Sequence, residues 1–460
     1  AQRYATLPVP CPTPEETSRL IARLQASANH EPSPLSVSPR RRVIPLLEVL
    51  AAVLLVGALV SSFLLVLASR LHHPTAPSAA ITGRPVTLQT LRMFDAANGW
   101  ATTFDGVTMY GSRHVLHTSK GMLHWQDVSP KRVAQSNDQG MVEAADFMNA
   151  STAWVVFDPH PISSGPTPHP LFVERTTDGG KTWQETTLVP QAPASIQQIS
   201  FLTPQDGWLL LIEGAAAGSE GVEVLRTTDG GATWRTMTRT TITTPTLPGA
   251  LPFGGDKLGI SFINQNTGWI PDPLMGIYQT QDSGATWYLQ HLPPPGTLPP
   301  TTPTHLAGAF PLLTFNGREE IFPAVLELPD GRAILELYRT LDGGHTWQAV
   351  STLSIPSAEL DAITFLDPEN GWAAGVQKNT LLLSATSDGG NTWKSFSQAL
   401  PPDVFQISEL NFVTKMTGWM IGVTNEERST RVFQTTNGGQ TWREVQPRLE
   451  VVTHPPEANQ

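Results

Sequence analysis

An octapeptide that ends in tryptophan recurs along this chain, and it limits the possible folds more than any other feature. The copy TTDGGKTW ends at Trp183, and related copies end at Trp234, Trp287, Trp347, Trp393 and Trp442. Self-similar segments at a nearly constant spacing are typical of repeat proteins, in which one supersecondary unit packs against the next. The sequence therefore predicts a modular fold.

Each copy predicts a tight turn between two strands. The residues before it, such as Phe172–Arg175, are apolar, β-branched or alternating, which favours a strand. In the Asp-Gly-Gly core, glycine supplies the positive φ angles of a tight turn, and the aspartate accepts backbone hydrogen bonds. Asn437 can accept the same bonds through its side-chain carbonyl. The residues expected to form these turns are Asp178, Asp229, Asp282, Asp342, Asp388 and Asn437.

A second motif precedes the turn in most repeats, with an aromatic residue, five or six further residues, and then Gly-Trp. It predicts a strand that ends at the aromatic residue, a short turn, and a second strand that opens with tryptophan. Joined to the Asp-Gly-Gly hairpin, it gives four strands about every fifty residues, the pattern of a β-propeller blade. The motif begins at Phe94, Phe201, Phe262, Phe365 and Phe412, and at Phe147 in a variant with Ala153 for glycine.

The number of repeats sets the architecture. Six octapeptides mark six blades, and a seventh blade lies first, where TSKGMLHW fills the turn position and ends at Trp125. The blade that ends at Trp347 keeps its turn but lacks Gly-Trp. We predict an all-β fold, a seven-bladed β-propeller of four-stranded antiparallel blades over residues 85–447, followed by a tail at 448–460. The segment Val86–Phe94 is either the first strand of blade one or, in part, the completion of the last blade. The tryptophans expected to pack between blades are Trp125, Trp183, Trp234, Trp287, Trp347, Trp393 and Trp442.

The repeats resemble the Asp-box, or BNR, motif (S/T)-x-D-x-G-x-T-W of sialidases and sortilin-type receptors. Paired with the aromatic-Gly-Trp motif at this spacing, they are most similar to the photosystem II stability and assembly factor family of seven-bladed propellers. The resemblance covers nearly all of the chain after residue 85. It implies a protein-binding surface with arginines on the propeller, although propellers as a class host many unrelated activities.

Residues 1–84 predict a different organisation. The segment Val49–Ala68 is twenty residues without a charge, long enough to cross a bilayer core of about 30 Å, so we predict one transmembrane helix within residues 43–69. Residues 1–42 form an N-terminal arm with a short amphipathic helix at about 14–28, and residues 70–84 form a linker. Six arginines precede the span, while Arg70 and Arg84 follow it. The positive-inside rule then places the arm in the cytoplasm and the propeller outside the plasma membrane.

The net charge also differs between the N-terminal part and the remainder of the chain. Residues 1–70 carry 7 Lys+Arg against 4 Asp+Glu, or +3, and the remainder carries 22 against 36, or −14, which sums to −11. An acidic outer domain argues against nucleic acid, whose phosphates it would repel. The single cysteine, Cys11, excludes an internal disulfide framework and a Cys-rich zinc site. The histidines form no H-x-x-x-H or H-E-x-x-H pair, so we expect no metal and no cofactor.

A catalytic role has little support from the residues. Sialidase chemistry needs an arginine cluster, a tyrosine nucleophile with a partner acid, and an aspartate acid/base. The only string similar to the Arg-Ile-Pro signature of sialidases is Arg42-Val43-Ile44-Pro45, at the membrane boundary, and none of the five tyrosines stands in a sialidase context. We therefore assign no catalytic residue. A pocket on the ring axis with clustered Arg, Tyr and Asp would favour an enzyme instead.

Binding candidates come from the residue directly before each Asp box. At three of these seven positions the residue is arginine, namely Arg175, Arg226 and Arg339, and these side chains could line one rim of the ring. The alternative for each is an ion pair with an acid of the neighbouring blade.

Three insertions rich in Pro, Gly and Thr offer a second possible binding surface: Asp158–Pro170, Thr240–Gly255 and His291–Gly308. We expect a non-enzymatic binding or assembly module whose partner is a protein or glycan outside the cell. The alternatives are a sialidase-like glycoside hydrolase and a transmembrane sensor that signals through the N-terminal arm.

Overall fold

The computed structural model describes residues 83–103, 114–135, 140–160, 167–216, 219–243, 248–272, 276–295, 305–315, 319–330, 332–355, 360–426 and 429–450. The predicted N-terminal helix at 14–28 and the predicted transmembrane helix within 43–69 lie outside the described residues. Within the described ranges, no helix combines the length and the apolar character that a bilayer span requires.

Seven antiparallel sheets follow one another along the chain, which confirms the predicted seven-bladed propeller. In each blade the strands run in sequence order from the innermost strand to the outer edge. The innermost strand of the fifth blade is split in two, and both pieces pair with the next strand. One short helix, α1 (Lys131–Gln135), connects the first two blades.

The strands of the first blade, with the two that extend it, are β1 (Arg84–Pro85), β2 (Leu88–Met93), β3 (Gly99–Thr103), β4 (His114–Thr118), β5 (His124–Asp127) and β31 (Arg448–Leu449). Those of blades two to four are β6 (Met141–Phe147), β7 (Ala153–Asp158), β8 (Leu171–Thr176), β9 (Gln184–Leu188), β10 (Ser195–Phe201), β11 (Gly207–Ala216), β12 (Ser219–Thr227), β13 (Arg235–Thr240), β14 (Ser261–Phe262), β15 (Gly268–Asp272), β16 (Gly276–Thr280) and β17 (Tyr288–Gln290). Those of blades five to seven are β18 (His305–Ala309), β19 (Leu313–Phe315), β20 (Glu319–Glu327), β21 (Ala333–Thr340), β22 (Gln348–Ile355), β23 (Ala362–Phe365), β24 (Gly371–Gln377), β25 (Thr380–Thr386), β26 (Lys394–Ala399), β27 (Val404–Phe412), β28 (Gly418–Thr424), β29 (Thr430–Thr435) and β30 (Arg443–Val445).

The ring closes at the first blade. Strand β31 pairs in parallel with β5, the outer strand of that blade, and β1 pairs with β31. Near the axis, Asn411 Oδ1 of the last blade accepts a hydrogen bond from the Met93 amide at 2.9 Å. Strand β2 is the innermost strand of blade one, which resolves the alternative left open for Val86–Phe94.

The motif aromatic residues form the contacts between blades. The Trp of Gly-Trp, or of the variant Ala153-Trp154, stacks on the motif Phe of the following blade, with ring centroids 3.7 Å apart for Trp154 and Phe201. The Asp-box Trp of that following blade, here Trp234, meets the same Phe edge-on at 6.0 Å. Stacked and edge-to-face pairs stabilise a core beyond the effect of area alone. The same arrangement recurs around Phe262 and Phe412.

The assignment of Phe94 to the aromatic position was wrong. In blades three, four, six and seven the motif Phe pairs directly with the glycine of Gly-Trp, but in blade one the residue opposite Gly99 is Met93. Met93 is buried in a cluster with Trp125 and with Trp419 of the last blade. Trp125 Nε1 donates to the carbonyl three residues earlier, as Trp234 does. The spacing of six residues therefore identifies the position better than aromatic character does.

Blade five differs most from the repeat pattern. Glu320 and Ile321 occupy the positions that Gly and Trp hold elsewhere, and Thr314 takes the place of the motif Phe. Thr314 Oγ1 donates to the fully buried Glu320 carboxyl at 3.0 Å. Burial raises the pKa of Glu320 well above its usual range. A hydrogen bond thus replaces an aromatic contact at this blade.

Each Asp box forms the same set of hydrogen bonds. In blade six, Asp388 Oδ1 accepts from Thr386 Oγ1 at 2.9 Å and from the Thr392 amide at 2.8 Å, while Oδ2 accepts from Thr392 Oγ1 at 2.6 Å. Asn437 keeps the first two bonds through Oδ1, and its Nδ2 donates to Thr441 Oγ1 at 2.9 Å, so that the hydroxyl becomes the acceptor. The hydroxyl rotates to suit either partner.

Replacing Asp388 by asparagine should therefore change stability little, whereas Asp388→Ala should lower the free energy of unfolding by about 1 kcal/mol, because it leaves the turn amide without an acceptor. Hydrogen bonds lower the pKa of Asp388. Its stabilising effect is present above the ordinary aspartate pKa and is lost as the pH falls through the lower folded value. Urea denaturation of both variants at neutral and acidic pH tests this. Equal losses for Asn and Ala would contradict it.

Candidate functional site

A cavity of about 360 Å³ lies where the innermost strands of the last, first and second blades meet at the ring axis. Its charged lining residues are Arg92 on β2, Glu143 and Asp146 on β6, and Glu409 on β27. Pockets of this size hold small ligands or single side chains. No tyrosine is among the described lining residues, so the cluster expected of a sialidase is only partly present.

The charges are confined to one side of the axis. Arg92 and Asp146 occupy equivalent positions, each opposite the Gly-Trp tryptophan of its own blade. At that position the other five blades carry uncharged residues, which are Ser200, Ser261, Leu313, Thr364 and Asn411. At this repeat position, therefore, only the first and second blades carry a charge.

Side chains on the innermost strands also tie consecutive blades together. Asp146 Oδ2 accepts from the Phe201 amide at 2.6 Å, and Glu143 Oε2 accepts from the Ile196 amide at 3.1 Å. Asn411 forms the equivalent bond across the closure of the ring. These bonds satisfy amides at the inner edge of each sheet, which would otherwise lack a partner. Because Asn411 forms the bond without a charge, the bond does not require the charge of Asp146.

The cavity carboxyls hold their protons unusually tightly. Burial raises the pKa of Glu143 to about 7, and the neighbouring charge of Asp158 adds to the effect. Burial raises the pKa of Asp146 to about 6 and that of Glu409 to about 7, although Arg92 opposes both changes. The carboxyls therefore change charge near neutral pH.

This predicts a stability that falls with rising pH. Between the usual glutamate pKa of 4.5 and the folded value of about 7, the unfolded chain loses a proton that folded Glu409 retains, so the free energy of unfolding decreases as the pH rises through this window. Glu409→Gln should flatten the dependence and raise stability at pH 7. Thermal melting of wild type and variant across that range is the measurement. A variant with the wild-type slope would contradict the assignment.

The three rim arginines contact the Asp box of the next blade or an acid of their own blade. Arg226 Nη2 donates to Asp206 Oδ1 at 3.2 Å, and Arg339 pairs with Glu319. Each of these acids belongs to the same blade as its arginine. The expected ion pair with an acid of a neighbouring blade was therefore wrong for both. All three side chains are half-buried.

Arg175 differs from the other two. Its guanidinium lies 5.6 Å from the Trp154 ring centre, a cation–π contact, and it covers Gly230 of the next Asp box. Among the described residues it has no carboxylate within salt-bridge distance. It is therefore the rim arginine whose charge is least compensated.

The strands that precede the three insertions all end on one face of the ring. Because strands alternate in direction, the connections after the second and fourth strands of a blade leave on the face opposite the Asp boxes, and all three insertions follow such strands. His169 Nε2 contacts Asp158 Oδ1 at 2.8 Å within the first insertion. Lys257, just after the second insertion, is fully buried against Asp272, with Nζ 3.4 Å from Oδ2. No group of three metal-ligating side chains occurs within the described ranges.

The axial cluster was missed by sequence reasoning, although a signal was present. Arg92 and Glu409 lie more than three hundred positions apart in the sequence, and only ring closure brings them together with Asp146. With the repeats in register, however, the residue before the motif Phe or Met93 is charged in only two blades. A charged residue at an otherwise neutral repeat position is the signal to look for.

One family model and several solved structures are similar to this chain. The family model Sortilin-Vps10 (sortilin, neurotensin receptor 3) matches residues 335–457. Curated proteins give no match. Similar solved structures include "YCF48 bound to D1 peptide", at 16% identity and TM-score 0.46, over 77% of this chain and 96% of the other.

Two further structures are similar at this level. YCF48 from Cyanidioschyzon merolae has 16% identity and TM-score 0.42, over 67% of this chain and 85% of the other. The GH74 xyloglucanase from Xanthomonas campestris has 12% identity and TM-score 0.48, over 78% of this chain and 53% of the other. At these identities the likeness bears on the fold alone. The family match over residues 335–457 and the seven-bladed ring agree with the resemblance to Asp-box propellers.

Proposed function

We propose that the chain is a binding or assembly module, in which the propeller presents a rigid ring to a protein or glycan partner without chemical turnover. The observation that carries this proposal is the one-sided charge of the axial cavity, where Arg92, Glu143, Asp146 and Glu409 meet. A rigid scaffold with a few convergent polar groups is the usual form of a binding site. The rim arginines, Arg175 above all, form a second contact region.

We further propose that the propeller is anchored to the plasma membrane and lies outside the cell. The support is the uncharged segment Val49–Ala68 with Arg40, Arg41 and Arg42 before it, together with the acidic balance of the remainder of the chain. Protease treatment of intact cells tests this. External protease should remove the propeller from the cell surface, and a propeller that is protected until the cells are lysed would contradict the orientation.

Binding is tested by selecting ligands for the purified full chain from a random peptide display library and from a glycan array. One ligand class should be enriched, and both Glu409→Gln and Arg175→Ala should reduce that enrichment. The matched control is Glu327→Gln, which removes one negative charge from an exposed side chain. Enrichment of neither class would contradict the proposal.

A second candidate is a glycoside hydrolase. The observation that favours it is the set of cavity carboxyls whose pKa is raised, since a protonated carboxyl can act as a general acid while an ionised one acts as a base or nucleophile. Release of reducing sugar from polysaccharides by the wild type, abolished in both Glu143→Gln and Glu409→Gln, would establish this candidate in place of pure binding.

A further inference from the structure

We propose that the axial cavity recognises a basic side chain, the ammonium or guanidinium group of a protein partner. The inference rests on the proposed binding function and names the chemistry of the partner. The cavity is the one lined by Arg92, Glu143, Asp146 and Glu409.

The charge of the lining favours a cation. With all groups ionised, three carboxylates face one guanidinium, which leaves a balance of −2 among the charged lining residues. Arg92 lies on the blade between those that carry the acids, so it moderates their charge without cancelling it. A carboxylate or phosphate ligand would meet net repulsion, whereas a cation supplies the missing charge.

Several carboxylate oxygens of the cavity are available as hydrogen-bond acceptors. Glu143 and Asp146 each use one carboxylate oxygen to accept an amide of the next blade. Within the described part of the chain, their second oxygens and both oxygens of Glu409 accept no hydrogen bond. Acceptors that face a cavity and lack partners are the groups that a hydrogen-bond donor would satisfy.

The spacing of these oxygens selects an organic cation over a metal ion. No three acidic or histidine side chains of the described ranges stand close enough to hold one ion. The carboxylates instead lie around the wall of a cavity of about 360 Å³. An ammonium presents three donors and a guanidinium five, so either can share its donors between a carboxylate and other acceptors of the wall.

The affinity should depend on pH in a way that surface binding does not. The titratable and charged groups around the cavity are Arg92 on β2, Glu143 and Asp146 on β6 with Asp158 beside them, and Glu409 on β27. Because burial raises the pKa of the three cavity carboxyls to between about 6 and about 7, they gain charge as the pH rises through this range. Carboxylates on the surface are already ionised there.

Calorimetric titration of the full chain with N-acetylated hexalysine amide tests the proposal. We expect binding at about pH 8 that weakens at least tenfold at about pH 5.5. Glu409→Gln should weaken binding about tenfold or more at the higher pH, as expected for loss of a desolvated charge partner, and should reduce the pH dependence. Asp146→Asn should also weaken binding, and because Asn411 makes the same blade-to-blade bond without a charge, this variant should keep the fold.

The control is Glu327→Gln, which changes the net charge equally at an exposed site and should leave the affinity unchanged. Equal weakening by Glu327→Gln and Glu409→Gln would overturn the proposal, as would absence of hexalysine binding at the higher pH. Binding of calcium ions or of a neutral oligosaccharide that depends on Glu409, without hexalysine binding, would overturn it too. Enrichment of peptides without basic residues in the library selection would leave the binding function standing while this inference fails.

Discussion

Replacing Lys257 by methionine should lower the free energy of unfolding by about 3–5 kcal/mol, the loss expected when one partner of a buried ion pair is removed. Lys257 and Asp272 are 1% and 0% exposed. Lys257 Nζ also donates to the Gly254 carbonyl at 2.6 Å and to the Gly255 carbonyl at 3.2 Å. The variant therefore leaves the buried Asp272 charge without its cation and removes the donor of two carbonyls. Urea denaturation followed by tryptophan fluorescence is the measurement.

Two further variants isolate the charge. Lys257→Met combined with Asp272→Asn should recover part of the loss, because the uncompensated charge is gone. Lys415→Met, at an exposed site, should change stability by less than about 0.5 kcal/mol. If Lys257→Met costs no more than Lys415→Met, the buried pair does not stabilise this part of the ring. Burial lowers the pKa of Lys257, while Asp272 and Glu220 oppose that change, so its charge depends on these neighbours.

Truncation of the stacked tryptophan Trp208 to alanine should be similarly costly, about 3–5 kcal/mol. Trp208 is 0% exposed, stacks on Phe262 with ring centres 3.6 Å apart, and donates from Nε1 to the Ser283 carbonyl at 3.0 Å. The alanine variant removes the contact between two blades and leaves a cavity. Denaturation midpoints in urea report the loss.

Trp419 provides a matched comparison. It occupies the same position in the last blade, but its Nε1 has no acceptor among the described residues. The blade that follows it is the first, where the Asp box is lost and, within the described ranges, no turn carbonyl accepts from the indole. Trp→Phe should therefore cost about 1–3 kcal/mol more at Trp208 than at Trp419, because only the former breaks a hydrogen bond. Equal costs at the two sites would show that the bond to Ser283 adds nothing.

The repeats predicted the fold because their local chemistry and their packing agree. An Asp-Gly-Gly turn followed by Thr-Trp determines both the hairpin and the indole ring that packs on the motif Phe of the same blade and against the preceding blade, as at Asp388 and Trp393. Two positions were beyond this reasoning. Met93 occupies the position of the motif phenylalanine although it is not aromatic. Glu320 occupies the position of the glycine of Gly-Trp, where the repeat pattern does not predict an acid.

The axial site was harder to foresee than the fold. A repeat predicts what every blade shares, whereas Arg92, Asp146 and Glu409 matter because they depart from it. Their proximity depends on ring closure, and their pKa depends on burial that only the closed ring produces. The rim arginines could be found from the sequence because their positions are tied to the Asp box. Their ion partners were not predicted, since Asp206 and Glu319 occupy the variable position directly before the Gly of Gly-Trp or its equivalent.

The closure by β31 has a consequence for synthesis on the ribosome. The outer strand of the first blade, β5, pairs with residues 448–449, which emerge more than three hundred residues after it. Until then β5 is an open strand edge, and Trp419 has not yet covered Met93. Domains fold as the nascent chain emerges, at about 5–20 residues per second, so this edge stays exposed for tens of seconds. The first blade is therefore where a chaperone, or a second nascent copy, would meet the unfinished ring.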